Sequence, residues 1–280
     1  MPRRVLAGCD SHLTEFGNGA RRALLLHCSL GHSGAYAKLG AATGGELTIT
    51  SFDQPGHGRS ADWTGEGDFQ DQVTAMALEL MDAPMDLIGH SFGGGVALRI
   101  AIERPELVRT LTLCEPAMMS IALRRDPSLR HVLDRDMQGF NAAFDAGAFE
   151  EAARLFTQRY GDGRPWESLS EENRAALTSR IHLIRAGGRA VNEDYYGLLE
   201  PGRLERAAMP VLVVDGGLGG PMMDGVCEGL LERLPNAQRV RIPGAGHMVP
   251  ITRPGAVARE ILQLLRGDKA RDHPAASAMN

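Results

Sequence analysis

MDLIGHSFGGGVALRIAIERP, residues 85–105, joins a short apolar run, a tight Gly-His-Ser-Phe-Gly turn and a long helical pattern. Gly89, Ser91 and Gly93 fit G-x-S-x-G, and the strand, turn and helix that such a motif requires surround them. The spacing has a steric reason. A serine in a strained turn needs neighbours without a Cβ two residues before and two after, so that strand and helix can approach closely. Such a turn pushes the hydroxyl out at the sheet edge and aims the next N–H at the same point. An idle serine in a glycine-rich turn is the blander reading, and the context argues against it.

On both sides of this stretch short apolar runs alternate with helical patterns. That predicts an α/β fold, doubly wound, with a mainly parallel sheet covered on both faces. Expected strands are 3–8, 12–16, 23–27, 47–53, 85–89, 107–115, 210–215 and 237–242, and expected helices are 35–42, 68–82, 93–104, 224–233 and 253–266. From Pro116 to Ala208 the rhythm breaks and only amphipathic helical faces can be drawn, such as Phe149, Ala152, Ala153, Phe156 and Tyr160. An insertion of that size between two strands reads as a lid or cap. The expected organisation is therefore a core domain over 1–115 and 209–266, a helical cap over 116–208, and a flexible tail over 267–280.

The chain has 280 residues, enough for one large domain with an insertion. A net charge of −5 gives no electrostatic reason to expect nucleic acid or an anionic membrane as partner. Cys9, Cys28, Cys114 and Cys227 are far apart and form no metal-like cluster with histidine, which suits a reducing compartment. Before Cys9 only Val5, Leu6 and Ala7 are apolar in a row, short of the ~7–15 residues of a secretory signal. A cytoplasmic protein acting on a small-molecule substrate, with no cofactor and no metal, is expected; oligomeric state is not legible.

A serine needs a neighbouring base to become a nucleophile. His247, in IPGAGHMVP, follows the last expected strand, where the order Ser…acid…His would put a base. His57, in DQPGHGRS, and His90, inside the turn, are competitors better read as a turn residue and a spacer. An oxyanion needs N–H donors. Phe92 supplies one, and the loop in LLLHCSLGHSG supplies the second, from Ser29 first and Leu30 next.

With these pieces in place, the sequence resembles serine hydrolases of the α/β-hydrolase fold superfamily. The matching stretches are LLLHCSLGHSG, FDQPGHGRS, GHSFGG, PVLVVDG and IPGAGHMVP, in family order between residues 23 and 250. The resemblance implies an eight-stranded, mostly parallel sheet, a helical cap, hydrolysis through an acyl-enzyme, and a structural role for Asp53 in its turn. Two positions depart from the pattern. Cys28 stands where the oxyanion loop usually has glycine, and Gly219 stands where the catalytic acid usually follows PVLVV-x-G. Glu115, which ends LTLCEP at the sheet edge beside the serine's own strand, is the first candidate for the acid, and Asp215, Asp224 or none stay open. A carboxylate within about 3.2 Å of the imidazole would decide among them.

The expected activity is that of an esterase-like serine hydrolase on a small, largely apolar acyl substrate. Alternatives are a degenerate member that only binds ligand, or a carbon–carbon hydrolase or lyase on the same fold. Phe140, Phe144, Trp166, Tyr195 and Tyr196 are the cap side chains expected to shape specificity.

Overall fold

The structure, a computed structural model, describes residues 3–267. The expected tail, apart from Gly267, lies outside the described residues. All eight expected strands form, with ends shifted by a few residues. They are β1 (Arg3–Leu6), β2 (Cys9–Gly17), β3 (Arg21–Leu26), β4 (Leu47–Phe52), β5 (Met85–His90), β6 (Val108–Cys114), β7 (Val211–Gly217) and β8 (Ala237–Ala245). They lie in one sheet of order β1-β2-β4-β3-β5-β6-β7-β8. β1 and β2 pair antiparallel with each other and β2 with β4; every other pairing is parallel.

The helices in chain order begin with α1 (Ala37–Ala42), α2 (Phe69–Leu78) and α3 (Phe92–Glu103). Between β6 and β7 come α4 (Met119–Arg125), α5 (Arg130–Asp145), α6 (Phe149–Tyr160), α7 (Glu171–Arg180), α8 (His182–Ala186) and α9 (Gly188–Asn192). The remaining helices are α10 (Gly220–Arg233), α11 (Val249–Thr252) and α12 (Pro254–Leu265). Among the described residues no helix is long and apolar enough to cross a membrane.

The side-chain period of two on a strand divides the sheet into two buried faces. Leu24, Leu26, Val211 and Val213 point into a core that includes α2, α3, α4 and α10, while Ala23, Leu25, Leu212 and Val214 point into one that includes α12. This double burial explains the unbroken apolar runs of β3 and β7. Phe140, Ala152, Ala153 and Ile181 form a separate small core within the insertion. The carboxyl ends of β3, β4, β5, β6, β7 and β8 open on one edge, and the candidate site is assembled there.

Candidate active site

The turn after β5 has the geometry that crowding predicts. Ser91 has φ 53° and ψ −119°, a conformation disfavoured for any residue with a Cβ. A Cβ on Gly89 would lie 2.4 Å from the Gly93 carbonyl oxygen, and one on Gly93 would lie 2.3 Å from the Leu26 carbonyl oxygen. Only glycines at these two places let α3 run back along β5 and β3.

Ser91 Oγ lies 2.8 Å from His247 Nε2. On the other side of the ring, Glu115 Oε2 lies 3.3 Å from His247 Nδ1, just beyond the 3.2 Å expected of a tight contact. In the tautomer that carries its proton on Nδ1, His247 donates to the Glu115 carboxylate and its Nε2 accepts from the Ser91 hydroxyl. Glu115 is fully buried, and its Oε1 accepts the Gly216 N–H at 2.7 Å. That second bond fixes the direction in which the carboxylate faces His247. Glu115 itself has φ 46°, a left-handed backbone that turns the chain out of β6 toward the insertion.

The Glu115 carboxylate comes close to position 219, beyond the end of β7. A Cβ built on Gly219 would lie 3.4 Å from Glu115 Oε2. The carboxylate from β6 therefore reaches the space that a side chain at 219 would enter.

The loop after β3 is held by buried histidines. Gly31 N–H donates to the Cys28 carbonyl at 3.1 Å, closing a turn in which Leu30 takes φ 59°. Leu30 N–H donates to His57 Nε2 at 3.0 Å, so that amide is committed. Phe92 is the first residue of α3, where an N–H has no intrahelical acceptor. Ser29, Ser91, Phe92 and His247 line the same cavity. Of the two candidate donors in the loop, Leu30 has its N–H committed to His57, and Ser29 lines the cavity beside Ser91.

His57 donates from Nδ1 to the Pro55 carbonyl at 2.9 Å, and burial pushes its pKa down to about 3. His27 accepts Gln54 N–H at Nε2 (2.9 Å) and donates from Nδ1 to the Cys28 carbonyl (2.7 Å); burial lowers its pKa to about 4. Both rings are neutral structural groups. Cys28 fits where glycine is usual because Gly31 leaves room for it: a Cβ there would lie 2.9 Å from Cys28 Sγ. Burial pushes the Cys28 thiol up to about 11. Asp53 accepts N–H from Ser33 at 2.7 Å and from Arg59 at 2.8 Å, pinning its own turn to the oxyanion loop.

The sequence model of the alpha/beta hydrolase family matches residues 23–260. The chain belongs to that family. It is 36% identical over 113 residues to a lipase of Mycobacterium tuberculosis (strain ATCC 25618 / H37Rv), covering 39% of this chain and 42% of the lipase. It is 28% identical over 263 residues to the dihydrolipoyllysine-residue acetyltransferase component of the acetoin cleaving system of Pseudomonas putida, covering 89% of this chain and 65% of that protein. The chain thus spans less than two thirds of the length of both relatives. An esterase of the same M. tuberculosis strain is 27% identical over 279 residues, with 94% of this chain and 87% of the esterase covered. Among solved structures, an alpha/beta hydrolase from Sphaerobacter thermophilus DSM 20745 superposes with a TM-score of 0.66 at 18% identity, covering 95% of this chain and 99% of that one. At that identity the fold is what the two share.

The two reserve acids of this family member are occupied elsewhere. Asp215 is buried, and its oxygens take Arg239 Nε at 2.6 Å, Arg241 Nε at 2.8 Å and Gly217 N–H at 3.0 Å. Asp224 binds Arg239 Nη2 at 2.6 Å and Arg241 Nη2. Burial alone would raise the Asp224 carboxyl; the arginine hydrogen bonds outweigh it and hold the group below the usual range. Among the described residues the His247 ring bonds to Ser91 and Glu115 instead.

A cavity of about 400 Å³ opens over Ser91. Its apolar lining includes Met119, Met137, Phe140, Phe156, Tyr160 and Ile184, while Arg130, Arg185 and Arg189 add charge. Of the five aromatic residues expected to shape it, Phe140 alone lines it. Phe144 stacks on Phe140, Trp166 packs in the insertion's own core, and Tyr195 lies 46% exposed beside Arg189. Tyr196 is drawn away by its hydrogen bond to Asp68 and by the Arg99 guanidinium 3.5 Å over its ring. The lining methionines are not legible in the sequence, because a methionine on a helix face carries no signal separating cavity from core. Tyr160, whose ring centroid is 5.3 Å from that of His247, sat on a face that periodicity had marked only as apolar.

Proposed function

We propose that the protein is a serine hydrolase that cleaves carboxylic esters with a largely apolar acyl part through an acyl-enzyme. The observation that carries the reading is the line Ser91 Oγ, His247 Nε2, His247 Nδ1, Glu115 Oε2, with spacings of 2.8 and 3.3 Å about one ring, opening on the cavity. In the first step Ser91 Oγ attacks the ester carbonyl carbon and His247 Nε2 takes its proton. Glu115 stabilises the imidazolium and holds the ring in the correct tautomer. The carbonyl oxygen becomes an oxyanion between the amides of Phe92 and Ser29. Collapse breaks the bond to the alcohol oxygen, which leaves with the proton from Nε2. Water then repeats the sequence on the acyl-serine and regenerates Ser91. The helices between β6 and β7 act as the cap, and the apolar lining they contribute would receive the acyl chain.

The lipase and esterase names among the relatives support ester hydrolysis. The grounds for a non-catalytic reading are Gly219 and Cys28; the Glu115 carboxylate close to position 219 and the room that Gly31 leaves for the Cys28 side chain weigh against it. The test is labelling with a fluorophosphonate probe. Wild type is expected to take the label at Ser91, and Ser91→Ala to take none while keeping its fold. Wild-type protein that stays as unlabelled as Ser91→Ala overturns the proposal.

A further inference from the structure

Three loops of the site are tied by hydrogen bonds that the reaction scheme does not use. Cys28 N–H donates to Tyr36 Oη at 3.2 Å, Tyr36 Oη is 2.7 Å from His90 Nδ1, and His90 Nε2 is 2.9 Å from the His247 carbonyl oxygen. A carbonyl only accepts, so His90 carries its proton on Nε2. Nδ1 is then an acceptor, and the Tyr36 hydroxyl must donate to it. Every direction in the chain is thereby fixed, and it runs one way from Cys28 to His247. Tyr36 and His90 are each 1% exposed, so no water competes for these bonds. The ring of His90 lies between its partners, with centroids 5.9 Å from Tyr36 and 5.4 Å from His247.

What the chain connects gives it a consequence beyond packing. Cys28 is bonded covalently to Ser29, the oxyanion donor of the proposed reaction, which lines the cavity with Ser91. The accepting carbonyl belongs to His247 itself, and His90 directly precedes Ser91. We propose that Tyr36 and His90 are positioning residues that set the oxyanion donor and the base at one spacing about Ser91. The inference rests on the reading of Ser91 and His247 as the reacting pair. An oxyanion donor acts on the transition state far more than on bound substrate, so loosening the tether should lower kcat and leave KM alone.

Tyr36→Phe removes one oxygen and keeps the ring. Measured with p-nitrophenyl butyrate and corrected for folded fraction, its kcat is expected to fall about 10- to 100-fold with KM within about twofold. Affinity for butylboronic acid, which forms a tetrahedral adduct with the serine, should weaken by the factor lost in kcat/KM. His90→Gln keeps an N–H that can reach the His247 carbonyl and should retain more activity than His90→Leu at equal folded fraction. A purely structural role predicts lower melting temperatures with unchanged kcat per folded molecule, and that result overturns the proposal. Equal kcat for His90→Gln and His90→Leu, or boronate affinity unchanged in Tyr36→Phe, overturns it too. A wild type that neither hydrolyses the ester nor takes the fluorophosphonate sinks the parent reading and this one with it. A labelled, active wild type beside a fully active Tyr36→Phe sinks this one alone.

Discussion

Glu115 concentrates two opposing effects in one residue. A left-handed backbone costs a non-glycine residue about 1–2 kcal/mol, and a buried carboxylate is unfavourable unless paired. Both are tolerated here because one oxygen takes the Gly216 N–H and the other faces His247. Glu115→Gln keeps the shape and removes the charge. Its kcat toward p-nitrophenyl butyrate is expected to fall about 10²- to 10⁴-fold, because a neutral amide no longer stabilises the imidazolium. The proximity of position 219 allows a second check. In a Glu115→Ala background, Gly219→Asp should recover part of the lost kcat, with Met223, whose Cβ would lie 2.6 Å from the new Cβ, shifting to make room. An unimproved double variant that is folded would count against a carboxylate acting at that place. Sequence put Glu115 first among the candidates because it ends a strand beside the serine's own strand. It could not show the left-handed turn that aims the carboxylate.

At the scale of elements, the fate of Asp215 is decided by β8. Asp215 pairs in register with Arg241, and Arg239 lies two residues earlier on the same strand face. Both guanidiniums fold over Asp215 and reach Asp224 on α10. This cluster ties β7, β8 and α10 together and leaves neither aspartate for the imidazole. Asp215→Asn should therefore cost stability, about 1.5–3 kcal/mol for weakening hydrogen bonds to charged groups, while kcat per folded molecule stays near wild type. Urea unfolding and titrated active-site assays separate the two effects. A folded Asp215→Asn protein with kcat down a hundredfold would return Asp215 to the list of acids. Nothing within VVDGG foretells this, since the partners lie on β8, some 25 residues further along the chain.

For the whole molecule, the buried imidazoles imply a pH response. Burial pushes His27, His57 and His90 down to about 4, 3 and 3, whereas in the unfolded chain each titrates near ~6.5. Between those values the unfolded state binds protons that the folded state refuses. Their contribution to stability is complete above pH ~6.5 and is lost as pH falls toward 4 and 3. Melting temperature is expected to hold between about pH 7 and 8 and to drop steadily below about 6.5. A profile flat down to pH 4.5 would mean that the three rings accept protons without unfolding. Because all three surround the oxyanion loop or the elbow, activity should decline over the same range.

The sequence by itself determined the sheet, its order of strands and helices, the serine turn and the histidine loop. Those features rest on local rules: periods of two and 3.6, and glycines where a Cβ cannot fit. The tertiary structure alone decided which loop amide is committed to His57, which aspartates are paired with arginine and which residues between β6 and β7 line the cavity. Each of those depends on side chains brought together from distant parts of the chain: His57 on Leu30, Arg239 and Arg241 on Asp215, and Asp68 on Tyr196. A hydrogen bond or ion pair between residues far apart in the chain leaves no periodic trace in sequence, and only the packed fold reveals which partner each group has found.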